Sequence, residues 1–140
     1  MILLDTNVIS EPLRPSPDPG VIAWIDEQPL ETLFLSAVTV AELRAGVALL
    51  PAGKRRTALH DNLEKRFLPL FAGRVLPFDH ACTTAYATLL SKARKAGLAI
   101  ATADGYIAAI AAANRFTVAT RDTRPFDAAG VDVINPWAHT

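Results

Sequence analysis

Short apolar runs alternate along this chain with longer stretches of helical spacing, and that alternation restricts the fold. Residues 2–5 form an apolar run stopped by the polar turn Asp5-Thr6-Asn7. Residues 33–36, 74–78, 117–120 and 131–134 are further runs of strand length. Runs that are apolar throughout, rather than every second residue, belong to strands covered on both faces, as in a parallel sheet. Between them the spacing predicts a short helix over residues 8–13 and longer ones over 21–28, 39–50, 54–71, 79–96 and 102–114. Residues 15–20, Pro-Ser-Pro-Asp-Pro-Gly, read as a loop. The expected architecture is α/β, about five mainly parallel strands flanked by helices.

With 140 residues, 51% of them apolar, the chain can bury a core without cross-links, and residues 1–140 read as one domain. Its lone cysteine, Cys82, excludes an intramolecular disulfide and fits a reducing cytoplasm. A small buried hydrophobe is its plainest role. The longest greasy stretch, residues 100–113, is interrupted by Asp104; a bilayer span needs about 20 apolar residues. Fourteen acidic residues balance fourteen basic ones. Bulk charge therefore does not draw the chain to nucleic acid, and any such binding must rest on local patches.

Most of the acids have ordinary surroundings. Asp26, Glu27 and Glu31 lie in polar stretches, Asp61 and Glu64 share a helix with lysines and arginines, and Asp79 fits a helix cap. Asp5, Glu42, Asp104 and Asp122 are different. Asp5 and Asp122 follow the ends of apolar strands, and ligands bind at that edge of open parallel sheets. Glu42 and Asp104 interrupt otherwise apolar helix starts. Each also has a local role available. Asp5 and Asp104 could cap helices. Thr39 and Glu42 have capping-box spacing, and Asp122 could pair with Arg121 or Arg124. A buried lone carboxylate is unfavourable by several kcal/mol unless it neutralises. Several together call for a cation, and hard oxygen donors suit Mg2+ or Mn2+.

Other chemistries lack their signatures. His60, His80 and His139 have no zinc-ligand spacing, and no CxxC occurs. No nucleophile elbow, Walker loop or GxGxxG fingerprint is present. A haloacid-dehalogenase-type phosphotransferase wants a second Asp where Asn7 stands and a later lysine, yet the last lysine is Lys95. A receiver domain fails for the same missing lysine.

The opening Met1-Ile2-Leu3-Leu4-Asp5-Thr6-Asn7-Val8-Ile9-Ser10-Glu11 resembles that of PIN-domain proteins, and most of all the VapC and FitB group of type II toxin ribonucleases. Four further segments fit the same group in the same order. They are residues 36–43 (SAVTVAEL), 103–111 (ADGYIAAIA), 118–126 (VATRDTRPF) and 130–137 (GVDVINPW). The resemblance implies a PIN fold and a catalytic set of Asp5, Glu42 and Asp104, with Asp122 where the family carries Asp or Asn. Thr6 and Thr120 match hydroxyl positions bordering the site. Asp5 and Asp104 would hold Mg2+ or Mn2+, with Glu42 and Asp122 completing the shell directly or through water. The implied reaction is hydrolysis of RNA phosphodiester bonds, with Arg44 and Arg121 available to phosphates. Implied partners are an RNA substrate, a cognate DNA-binding antitoxin, operator DNA bound by the pair, and a second copy of the chain. The alternative is a catalytically silent PIN scaffold that binds an antitoxin or RNA.

Overall fold

The computed structural model describes residues 1–138; His139 lies outside them. Five short strands form one parallel sheet: β1 (Ile2–Leu4), β2 (Leu33–Ser36), β3 (Val75–Leu76), β4 (Thr117–Ala119) and β5 (Val133–Ile134). Their spatial order is β3-β2-β1-β4-β5. The chain therefore lays strands outward on one side of β1, then returns to build the other side. β1 and β4 sit at that reversal, in register Leu3 to Val118 and Leu4 to Ala119. The expected α/β architecture is the observed one.

Strand periodicity of two sorts the core into two layers. Leu3 and Val118 face one layer, with Ile107, Ile110, Leu89 and Phe126. Leu4 and Ala119 face the other, with Val8, Ile9, Trp24, Leu43, Leu63 and Phe71. Both faces are covered, which is why the strands read as unbroken apolar runs.

The helices are α1 (Thr6–Ser10), α2 (Pro19–Glu27), α3 (Ala37–Ala48), α4 (Lys54–Asp61), α5 (His80–Lys95), α6 (Thr102–Asn114) and α7 (Arg124–Ala128). Several boundaries differ from expectation. α2 starts at Pro19, inside the expected loop. The Asp18 carboxylate accepts from the N–H groups of Gly20 (2.8 Å) and Val21 (3.4 Å), and proline is tolerated in a first turn because its missing N–H has no partner to lose there. The expected helix over residues 54–71 is α-helical only as far as Asp61. It widens into a π-helical segment, Asn62–Phe67, then tightens into a 3-10 turn, Leu68–Phe71. Pro69 lacks the N–H that an α-helix would need there. α7 was not anticipated at all. Asp79 caps α5 as expected, and Cys82 is buried with its Sγ 3.2 Å from Asp79 Oδ1. Burial pushes the Cys82 thiol above its ordinary range, in keeping with a packing role.

One buried acid lies outside the four singled out above. Glu11 is 2% exposed, and Arg14 Nη1 donates to both of its carboxylate oxygens at 2.7 and 3.1 Å. Among the described residues, no helix is long and apolar enough to cross a membrane.

Candidate active site

Asp5 is the first residue past β1. Its backbone N–H still donates to Ala119 O of β4 at 2.9 Å, so the strand pairing fixes where its side chain starts. The carboxylate is almost fully buried, at 5% exposure. Oδ1 accepts from the Thr6 N–H at 2.8 Å, which caps α1. Oδ2 accepts from the Thr120 hydroxyl, also at 2.8 Å. The cap role is thus real, and it uses only one of the two oxygens.

Thr120 follows β4 as Asp5 follows β1. Having given its one proton to Asp5, its oxygen accepts from the Asp122 N–H (3.2 Å) and from Asn7 Nδ2 (3.5 Å). Asn7 Oδ1 in turn accepts the Arg121 N–H at 3.3 Å. The loop after β4 is therefore tied to the start of α1, and Asp122 is carried with it.

Glu42 arrives from α3. The expected capping box is not formed. The N-cap is Ser36, whose Oγ accepts the Thr39 N–H at 3.0 Å, so the helix starts at Ala37 rather than Thr39. Glu42 lies well inside the helix with no cap to serve. Its Oε1 accepts from the Thr6 hydroxyl at 2.7 Å. Asp104 is likewise not a cap. α6 begins after Ala101, which makes no side-chain cap bond, and Asp104 occupies the first turn, where the helix dipole favours negative charge.

Asp5 and Asp104 feel the acids beside them. Burial pushes the Asp5 carboxyl up from 3.8 to about 6, against the hydrogen bonds from Thr120 and Thr6, and the charges of Asp104 and Glu42 add to the rise. Asp104 is also raised, by burial first and then by Asp122 and Glu42. Among the described residues, no Lys, Arg or His forms an ion pair with any of the four. Nor, among the described residues, are three His, Cys, Asp or Glu side chains grouped closely enough to hold a metal ion by themselves. The arrangement is a partly open shelf of negative charge at the C-terminal edge of β1 and β4. Its hard oxygen donors, and its lack of a protein cation, fit a divalent ion that retains much of its water.

The two arginines expected near phosphates have different fates. Arg44 is engaged by Glu64 at 2.9 Å. Arg121 is exposed and makes no ion pair among the described residues; its guanidinium lies over the Trp137 ring, 5.1 Å from the centroid. Ser36, Thr39 and Asn7 were not anticipated as parts of this network. The spacing of Ser36 to Thr39 was the available signal for the first two, since it is that of a cap and the residue it caps.

Residues 2–131 match the family model described as PIN domain. The chain is 61% identical over 137 residues to VapC ribonuclease Y4jK of Sinorhizobium fredii, covering 98% of each. It is equally identical, over the same length, to Toxin FitB of Neisseria gonorrhoeae, covering 98% of this chain and 99% of that one. Among solved structures it resembles a chain of FitAB bound to an IR36 DNA fragment. There the TM-score is 0.95 at 59% identity, covering 98% of this chain and 96% of the other.

Proposed function

For this chain, which belongs to the PIN-domain family, we propose the activity of a metal-dependent endoribonuclease and the role of toxin in a type II toxin–antitoxin pair. The observation that supports the chemistry is that the pKa of buried Asp5 is raised further by Asp104 and Glu42, and that of Asp104 by Asp122 and Glu42, while among the described residues none of the four acids has an ion-pair partner. The names of the relatives, a VapC ribonuclease and a toxin, support the biological role.

In this reading Asp5 and Asp104 would hold Mg2+ or Mn2+, with Glu42 and Asp122 completing the shell directly or through water. An ion held there would supply a lowered pKa for its water and charge stabilisation at the phosphate. The chain's own part is orientation. Asp5 keeps both oxygens hydrogen-bonded, so its carboxylate cannot rotate away. Glu42 is held through one oxygen by Thr6, leaving the other available. Water rather than a side chain would form the new P–O bond as one ester P–O bond breaks, the attacking water losing a proton to solvent and the leaving oxygen taking one up. Arg121 offers a cation to the RNA backbone from the loop that carries Thr120 and Asp122.

Residues 1–140 act as one domain, in the cytoplasm where the substrate is. The partners are a cognate antitoxin that covers the acidic shelf, operator DNA bound by the pair, and a second copy of the chain. The FitAB–DNA structure supports the partnership.

The test is cleavage of structured RNA by purified protein with Mg2+ or Mn2+, beside Asp5→Asn and Asp104→Asn. Cleavage by wild type that both substitutions reduce at least a hundredfold is expected. No cleavage with either metal, together with growth arrest unaffected by Asp5→Asn, would favour the silent scaffold.

A further inference from the structure

We propose that Thr39, itself oriented by Ser36, is a positioning residue that fixes Glu42 through Thr6. This rests on the reading of Glu42 as part of the metal-dependent site. Three hydroxyls from three elements line up behind that carboxylate. Ser36 Oγ, at the end of β2, is 3.2 Å from Thr39 Oγ1 in α3. Thr39 Oγ1 is 3.1 Å from Thr6 Oγ1 in α1. Thr6 Oγ1 is 2.7 Å from Glu42 Oε1.

A hydroxyl has one proton to donate. The Thr6 proton goes to the carboxylate, its shortest and only charged partner. The proton between Thr39 and Thr6 must then be that of Thr39, and the one between Ser36 and Thr39 that of Ser36. The row therefore runs one way, Ser36 to Thr39 to Thr6 to Glu42, each donor strengthened by the one behind it. It begins at a fixed point, because Ser36 Oγ also accepts the Thr39 N–H at 3.0 Å.

Helix capping does not account for the Thr39 hydroxyl. The cap needs the Ser36 oxygen and the backbone N–H of residue 39, and valine would supply both that N–H and the same volume. Yet Thr39 is fully buried, and among the described residues its hydroxyl meets only those of Ser36 and Thr6. A buried hydroxyl without a partner is unfavourable, so this one is tied to the row it completes. What it contributes is direction. With the Thr39 proton on its lone pair, Thr6 cannot turn its own proton toward α3 and must present it to Glu42. Glu42 is exposed and has three side-chain torsions; this bond selects one orientation through Oε1 and leaves Oε2 outside the row.

The experiment measures Mn2+ binding by electron paramagnetic resonance, following loss of the free-ion signal. It compares wild type with Thr39→Val, Thr39→Ser, Glu42→Gln and the double variant T39V/E42Q, with melting curves taken in chelator. Thr39→Val should weaken Mn2+ binding roughly tenfold, the lower end of what losing an outer-shell partner does to a metal site. Thr39→Ser should bind within about twofold of wild type, because it restores the hydroxyl. Adding Thr39→Val to Glu42→Gln should change nothing further. If Thr39→Val does not fold, Thr39→Ala is read by the same criteria. Wild-type Mn2+ binding by the Val or Ala variant, beside weakened binding in Glu42→Gln, overturns the relay and leaves the metal site standing. Wild-type binding by Glu42→Gln overturns the reading of Glu42 as well, and the relay with it.

Discussion

Replacing Asp5 with asparagine should make the metal-free protein more stable above neutral pH and slightly less stable in acid. The unfolded chain releases the Asp5 proton near the ordinary value of 3.8, whereas the folded protein holds it to about 6. Below 3.8 both states are protonated and burial of this group carries no charge penalty. Between the two values the native state keeps a proton that the unfolded chain has lost, so stability falls by about 1.4 kcal/mol for each pH step. Above 6 the penalty is complete, at about 3 kcal/mol. Asparagine cannot ionise and escapes it. Its Oδ1 can still accept from Thr6, but its amide group would face the Thr120 hydroxyl. That hydroxyl can accept by giving up the long 3.5 Å bond from Asn7 Nδ2, since Asp122 O lies 3.4 Å away to take its proton. The exchange loses about 1 kcal/mol. The variant should therefore be about 0.5 kcal/mol less stable than wild type at pH 4, where the penalty has just begun, and about 2 kcal/mol more stable at pH 8. Urea unfolding in chelator measures both, and taking the difference cancels every other titrating group. A difference that stays constant from pH 4 to pH 8 would refute the burial argument for Asp5.

Saturating Mn2+ should raise the melting temperature of wild type, and Asp104→Asn should cut that rise by more than half, measured by differential scanning fluorimetry; equal shifts in both proteins would place the ion elsewhere. Arg14→Ala should lower stability by roughly 2 kcal/mol in urea unfolding, because it leaves the Glu11 carboxylate buried without its cation; a loss below about 0.5 kcal/mol would show that Glu11 finds another partner. Arg121→Ala in an Asp104→Asn background should weaken RNA binding and reduce the slope of log K against log salt by about 0.7, in a filter-binding series over salt. An unchanged slope would mean that Arg121 stays on Trp137 and does not reach phosphate.

The sheet was legible because its three central strands are buried on both faces and therefore unbroken in the sequence. The outer strands were overdrawn. β3 and β5 each have a single neighbour and only two paired residues, so apolar residues beside them, such as Val131, pack into the core without joining the ladder. α7 was missed because five residues containing Pro125 carry no helical period. The start of α2 was missed because Asp18-Pro19-Gly20 has loop composition, although an Asp cap followed by proline is a helix start. Within the site, the four acids stood out because an apolar context is costly for charge. The hydroxyls behind Glu42 did not, since serine and threonine at a helix start are ordinarily explained by capping alone. Thr39 was read as the cap when it is the capped residue, and only the approach of α1 gives its hydroxyl another use.

The hydrogen bond from Thr120 to Asp5 joins residues 115 positions apart. Its consequence concerns when the site can exist. A chain emerging from the ribosome presents Asp5 first and Thr120 and Asp122 late. Until β4 docks beside β1, Asp5 lacks the hydroxyl that holds its second oxygen, and Asp122 has no fixed place. A chain that ends in α6 after Asp104 carries three of the four acids but lacks β4, Thr120 and Asp122. Under the proposed function, phosphodiester cleavage would then wait for β4 to dock beside β1.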